Sequence, residues 1–544
     1  MANPHARSRR PVILAATFVA AVLAASAALA LRVSGNESVV LAPSSTYAEG
    51  IAGTWQRVNP LFVSSNEVDA DLSALVFSGL VRLASDGRVI PDLADLPEVS
   101  SDGRTYTFRL RDNARWHAGE PVTSIDVELT INQIKDPDFR DPLIAEGWIG
   151  TEVETPDERT VIVRLRQSSA PFLARSATVG ILPEHLLRGT TAQQMVNTPF
   201  NAAPVGSGPY RVSLLNSQEA RLTSHERYHL GRPNIDRITL RFYTDYSTAV
   251  QALTRGDVDG LLVRDNLTAE QQAEIAGNSS LTTTSLLRSS QTLLYLNTSN
   301  VFFRDELTRR AISLALDRQA LASGPFLGRA RPSSSPVTPD TWAYAASADD
   351  IEQNLTDARL LLEEAGWIPN PTNGVLARQG SEFRFAIRVD NDPVRVAVAE
   401  RIASQLEPIG IRASVVSTTF SVLRRDFLQE RNYEAALASW EQGPDPDIYF
   451  GWHSSQLGAA GLNLANFEDA VIDELISRGR TSMDPGTRLD SYTQIQEVWQ
   501  VLSPGVVVAY RTYEYVQTRA LQDAHPGVLF TPSNRFVDVH KWRR

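Results

Sequence analysis

The stretch Ser439-Trp440-Glu441-Gln442-Gly443-Pro444-Asp445-Pro446-Asp447-Ile448-Tyr449-Phe450-Gly451-Trp452 crowds aromatic rings, carboxylates and turn formers into one segment. Such residues suit the holding of a small molecule. Rings supply contact area, and a carboxylate drawn out of water gains most from a hydrogen-bonded cation. The same types also suit plain packing, with Trp440, Tyr449 and Phe450 in a core and Asp445 and Asp447 as turn or cap residues. Trp55 is a second candidate, because it stands in the long loop after the first strand and ligand loops of α/β proteins lie beyond the carboxyl ends of strands. His225 and His229, four residues apart, are the best metal-like pair among the eight histidines. With no third ligand nearby they read as a solvated surface.

Catalytic patterns are sparse. The chain has no G-x-S-x-G elbow, P-loop or G-x-G-x-x-G turn. Among 63 acidic residues some carboxylate pair always looks suggestive, so closeness in sequence says nothing about acid/base work. These residues favour binding over catalysis, and no enzyme is expected. A hydrolase is the rival, and it predicts turnover of a bound ligand.

The elements that must position such residues are legible in several places. Tyr106, Phe108 and Leu110 alternate with Thr105, Thr107, Arg109 and Arg111, which predicts a strand with one buried face. A turn around Asn113 and Gly119 follows. Thr123 and Asp126 stand at capping-box spacing, and Val127, Thr130, Ile131 and Ile134 then share one helical face. Ser247 to Arg255 predicts a helix ending at Gly256, with a short strand at Leu261 to Val263. Asp305 is placed to cap a helix carrying Leu307, Ala311, Leu314 and Ala315 on one face, and Thr356 to Ala365 forms a helix closed by Gly366. Pro393 suits the first turn of a helix reaching about Pro408, after which Gly410 releases the chain into a strand from Ile411 to Val416. Strand-like and helix-like segments alternate throughout, so the fold class is α/β.

The unit from Gly103 to Gln133 resembles the signature of the family 5 solute-binding proteins, the peptide-binding receptors of ABC importers. Other segments match in order: Glu49-Gly50-Ile51-Ala52-Gly53 and Asn59-Pro60-Leu61-Phe62 resemble the family's opening loop, and Gly206-Ser207-Gly208-Pro209-Tyr210 its central glycine turn. Leu296-Asn297, Arg310-Ala311-Ile312 and Asp317-Arg318 resemble its entry to the second lobe. The resemblance runs over about residues 37 to 540. It implies a two-lobed periplasmic-binding-protein-like fold with a hinge and an interlobe ligand cleft, preceded by an N-terminal hydrophobic helix. Carried onto this chain, residues 1–36 would be a signal peptide or membrane anchor, 37–285 lobe I, 286–504 lobe II, and 505–544 a return to lobe I. The implied function is capture of a peptide and its delivery to an ABC permease, by a monomer, without cofactor or metal.

The resemblance also assigns candidate ligand residues. In peptide-binding members the loop matching Trp440 to Trp452 lines the cleft, and an acid there pairs with the ligand's α-ammonium. Aligning Asp445-Pro446-Asp447 leaves Gln442 or Gly443 at that place, so Glu441 or Asp445 would have to substitute. Arg388 stands near the place where some relatives present an arginine to a peptide carboxylate, a natural bidentate match. Trp116 and His117 could face the cleft, but they match a structural turn of the family, with Ala118 replacing its acid, and packing is the favoured reading. The loop's departure keeps two alternatives open: the same fold binding an oligosaccharide, metal complex or opine, and a membrane-anchored envelope sensor without transport.

Composition bounds the rest. At 544 residues the chain exceeds one ordinary core, and its formal net charge of -11 gives no reason to expect nucleic acid as a partner. Cysteine is absent, which removes disulfides, thiolate metal sites and a lipid-modified cysteine anchor. Arg7, Arg9 and Arg10 precede an uncharged run from Val12 to Leu31, closed by Arg32. Ala28-Leu29-Ala30 and Ala25-Ser26-Ala27 offer small-x-small cleavage sites, whereas the run's length approaches that of a membrane span. By either route the arginines stay inside and the remaining chain is expected outside the cytoplasmic membrane or in the periplasm.

Overall fold

The computed structural model describes residues 45–264, 267–349, 352–458 and 460–544. The predicted signal or anchor segment lies outside them. Among the described residues no helix is long and apolar enough to cross a membrane.

The molecule is mixed α/β, built on one large sheet. In chain order its strands are β1 (Thr46–Ala52), β2 (Tyr210–Leu215), β3 (Glu219–Ser224), β4 (Arg237–Tyr243), β5 (Gly260–Val263) and β6 (Leu281–Leu296). There follow β7 (Ala330–Pro332), β8 (Arg384–Asp390), β9 (Arg412–Thr418), β10 (Ala435–Glu441) and β11 (Gly505–Thr518). The spatial order is β9-β8-β10-β6-β11-β5-β1-β4-β3-β2, with β7 paired to β11 off this path. β1 runs parallel to both β4 and β5, and β8 parallel to both β9 and β10. The two sets are joined by the long antiparallel pair β6 and β11.

Burial shows what that pair does. Leu286 of β6 and Tyr513 and Tyr515 of β11 belong to one core with Tyr47, Tyr106, Phe108, Trp116 and Trp542. Leu294 and Leu296 of β6 and Val506 and Val508 of β11 belong to another, with Phe303, Phe383, Phe385 and Ile387. Two strands therefore cross from one hydrophobic core to the next, which makes two lobes with a double connection between them.

A second sheet, antiparallel, orders Glu98–Val99, Thr105–Arg109, Thr160–Arg164 and Glu152–Asp157. The strand predicted to reach Arg111 ends at Arg109, beyond which Leu110 makes an isolated bridge to Ala94. The next helix spans Ser124–Lys135, with the Thr123 amide and hydroxyl both donating to Asp126 Oδ2, at 2.7 and 3.1 Å. Downstream, the helix Tyr246–Thr254 starts one residue early because Asp245 caps it through the Thr248 amide. Asp305 caps Glu306–Ala315 as its sequence suggests, and Asn354 caps Leu355–Glu364. The helix Pro393–Leu406 runs into a short 3-10 turn, and Gly410, at φ +81°, turns the chain toward β9.

Candidate functional site

The register of β6 against β11 is continuous to Leu287↔Thr512 and resumes at Gln291↔Tyr510, so Arg288, Ser289 and Ser290 sit in an irregularity. Bulges bend a strand and re-aim its side chains. Here the bulge exposes a charge in a run of leucines. Arg288 Nη1 donates to the Tyr513 hydroxyl at 2.6 Å, and Nη2 lies 3.1 Å from Glu441 Oε2. Ser290 Oγ donates to the other Glu441 oxygen at 2.8 Å. The Glu441 side chain is 56% exposed and Arg288 26%, so each keeps capacity for another partner. Arg264 is close enough for Arg288 and Tyr513 to act on it electrostatically. Burial, together with repulsion from Arg535 and Arg288, pushes its guanidinium down to about 10. It donates to the Tyr246 hydroxyl at 2.6 Å and pairs with Glu67.

The end of β10 adds a backbone feature. β6 pairs with it from Leu296↔Ala435 to Ser290↔Glu441, whereas β8 pairs only with Ala435 to Leu437. Among the described residues, Ala438 to Glu441 thus have no strand neighbour on the β8 side. An unpaired edge presents amides and carbonyls to anything extended that lies along it.

The structure brings four of the six predicted site residues together and gives each protein partners. Trp440, half-buried, stands opposite Gln291 and packs its ring over Gly451. Glu441 is held as described. Gln442 is buried: its side-chain amide donates to the Pro336 carbonyl, its oxygen accepts from the Thr338 hydroxyl, and its backbone amide donates to Ser289 O at 2.8 Å. Asp445 is buried too, with Arg488 Nη2 donating to both carboxylate oxygens at 2.7 Å. The other two lie apart. Trp55 donates its indole N–H to Asn216 O at 2.8 Å and packs on the first core. Arg388 lies over the Phe427 ring at 4.4 Å and pairs with Ala436, four residues and about 13 Å of strand from Trp440.

Sequence reasoning missed Arg288, Tyr513 and Arg264. A signal existed for the first: an arginine between Leu286-Leu287 and the run Leu293 to Leu296 has no place in a buried strand unless it serves a bulge or a cleft.

The histidine pair corrects a second reading. His225 and His229 are not a solvated surface; both are buried. They lie in His225-Glu226-Arg227-Tyr228-His229, an H-E-x-x-H string that sequence reasoning overlooked, but here the segment is a turn and not the helix of such zinc sites. His229 Nε2 meets Asp92 Oδ1 at 2.7 Å, His225 Nδ1 meets Gly208 O at 3.2 Å, and Glu226 pairs outward with Arg232. No group of three metal-ligating side chains occurs among the described residues. Trp116 is fully buried. His117 Nδ1 accepts from the Gly206 amide at 3.2 Å, which leaves its Nε2–H to donate to Gly208 O at 3.1 Å. The histidine of one motif therefore holds the glycine turn of another.

Comparison with known proteins decides the family. Residues 88–461 match the family described as bacterial extracellular solute-binding proteins, family 5. The chain belongs to this family. Among similar proteins are Protein XP55 of Streptomyces lividans, 29% identical over 91% of this chain and 88% of the relative, and the oligopeptide-binding protein AppA of Bacillus subtilis, 25% identical over 91% and 90%. The solved structure of NikZ from Campylobacter jejuni in complex with Ni(L-His) shares the fold, with a TM-score of 0.66 at 23% identity over 92% of this chain and all of that one. Family 5 proteins are substrate-binding receptors of ABC importers that act outside the cytoplasm, and their fold is that of periplasmic binding proteins.

Proposed function

We propose that this chain captures a peptide between two lobes and delivers it to an ABC permease, with lobe I formed by about residues 37–285, described from Ser45 on, and 505–544, lobe II by about residues 286–504, and the changeover falling within β6 and β11. The observation that carries the reading is the open edge of β10 from Ala438 to Glu441, which ends beside the Arg288–Glu441 pair. An extended peptide laid on that edge gains main-chain hydrogen bonds whatever its sequence, which suits a receptor for varied peptides. The pair at the end of the edge offers a carboxylate to an ammonium and a guanidinium to a carboxylate. Ligand that bridges the lobes biases them toward closure by its differential affinity, with the β6–β11 connection as the hinge.

Buried Gln442 supports a second reading. At one of the two positions, Gln442 or Gly443, where the resemblance puts an ammonium-binding acid, the Gln442 amide is consumed by Pro336 and Thr338. A solute without a free α-ammonium fits that loop, and similar structures include complexes with Ni(L-His) and with agropinic acid. Thermal-shift screening separates the two. Free tetrapeptides at a hundredfold excess over Kd are expected to stabilise the protein by about 2.7 kcal/mol, and N-acetylated ones less. Stabilisation by sugars or opines with none by peptides overturns the peptide reading.

A further inference from the structure

Beside the loop Gly443 to Asp447 lies a cavity of about 320 Å³. It is lined by residues of the segments 146–151 and 165–176 and by Arg480. Phe172 and Leu165 give it an apolar floor, and three guanidinium groups stand around it: Arg166, Arg175 and Arg480.

The charges do not balance inside the protein. The Asp447 carboxylate is wholly buried and is shared by two of the arginines. Arg480 pairs with it directly, while Arg175 reaches it at 3.7 Å and gives one hydrogen bond to the Asp447 backbone carbonyl at 3.0 Å. Arg175 Nε is buried and has no hydrogen-bond partner among the described residues. A buried donor left unpaired costs about 1–3 kcal/mol, more when it is charged, so a small shift of Arg175 that brought it to an acceptor would be favoured. Arg166 is exposed, folds over Gly150 at the rim, and makes no ion pair among the described residues. The single acidic side chain of the lining, Glu146, is exposed. Arg175 ties the cavity to the ligand loop, since a Cβ on Gly443 would stand 3.6 Å from its Nε.

We propose that this cavity is a carboxylate subsite, taking an anionic group carried on an apolar body, with Arg175 and Arg166 as its donors. Its volume lies at the small end of ligand pockets, room for a small acid or for one end of a longer solute. Guanidinium groups match carboxylates in shape as well as charge, and the apolar floor takes the carbon skeleton behind the anion. The inference rests on the receptor reading above and names the chemistry of one end of the solute. That end is either a peptide's terminal carboxylate or one carboxylate of a non-peptide acid.

The test measures binding to the purified full chain by calorimetry with an equimolar tetrapeptide pool, the same pool C-terminally amidated, and glutarate, for wild type and Arg166→Glu. The variant replaces an exposed residue that makes no ion pair among the described residues, so its melting temperature is expected to match wild type, and circular dichroism checks this. The wild type is expected to prefer free over amidated peptides at least tenfold, and the variant to lose the preference. Equal binding of free and amidated peptides, or an unchanged preference in Arg166→Glu, overturns the subsite while leaving a peptide receptor standing. If no peptide binds but glutarate binds the wild type and not the variant, the subsite holds and the peptide reading falls. Binding of neither probe to the wild type overturns the subsite.

Discussion

Two acids of one loop, Glu441 and Asp445, look interchangeable in sequence and differ in the fold. Asp445 faces Arg488 with both groups nearly out of solvent, at 3% and 12% exposure, whereas Glu441 meets Arg288 at a wet edge. Breaking a buried pair from one side leaves an uncompensated charge and costs about 3–5 kcal/mol, while an exposed pair is worth about 1 kcal/mol or less. Asp445→Asn is therefore expected to lower the denaturation midpoint strongly, and Glu441→Gln to leave it nearly unchanged while weakening peptides with a free ammonium. Urea melts and calorimetry on both variants check this, and a stable Asp445→Asn that loses ligand would reverse the two roles. Nothing in the order of residues distinguishes the acids, because Arg488 is far along the chain and only folding brings it back. The same holds for Arg288 and Tyr513, which meet across strands that begin more than two hundred positions apart.

Elements were more legible than contacts. Capping spacing at Thr123 and Asp126, the alternation from Thr105 to Arg109 and the glycines at 256, 366 and 410 each act over a few residues, so local sequence sufficed to place their helices and strands. The turn around Trp116 and His117 was legible as packing, but its partner was not, since Gly206 and Gly208 lie in a different segment. This junction has a pH signature. Burial holds His117 down to about 3 and His540 down to about 4, and lowers His225 as well. In the unfolded chain these rings titrate near 6.5, so between the unfolded and folded values the unfolded chain binds the extra protons. Stability contributed by the neutral rings is present above that window and is lost as pH falls through it. His117 alone accounts for on the order of 4 kcal/mol between pH 6.5 and 3. Melting temperature is expected to drop steeply over that range, and His117→Asn to flatten the slope; parallel slopes for variant and wild type would remove His117 from the account.

At the scale of the molecule, the first core is closed by residues from both ends of the chain, and one buried cation shows how. Arg535 Nε donates to Glu49 of β1 at 2.7 Å, and its two terminal nitrogens donate to Asp71 of the helix Glu67–Val76, also at 2.7 Å. Tyr47 and Tyr515 donate their hydroxyls to the second Glu49 oxygen at 2.9 and 3.0 Å, which brings β11 into the same knot. Arg535 and Glu49 are 1% and 0% exposed. Replacing the arginine leaves two carboxylates facing each other without a counter-ion, and one must take a proton or leave the core. Asp71 is poised for that, because burial already raises its carboxyl. Arg535→Met fills much of the volume but none of the charge, so it is expected to cost about 3–5 kcal/mol, whereas Arg535→Met combined with Glu49→Gln and Asp71→Asn should recover part of it. Urea denaturation of the single and triple variants measures the difference. Equal losses in both would mean that Arg535 holds the C-terminal return by shape, through its contact with the Phe536 ring at 4.1 Å, and not by charge.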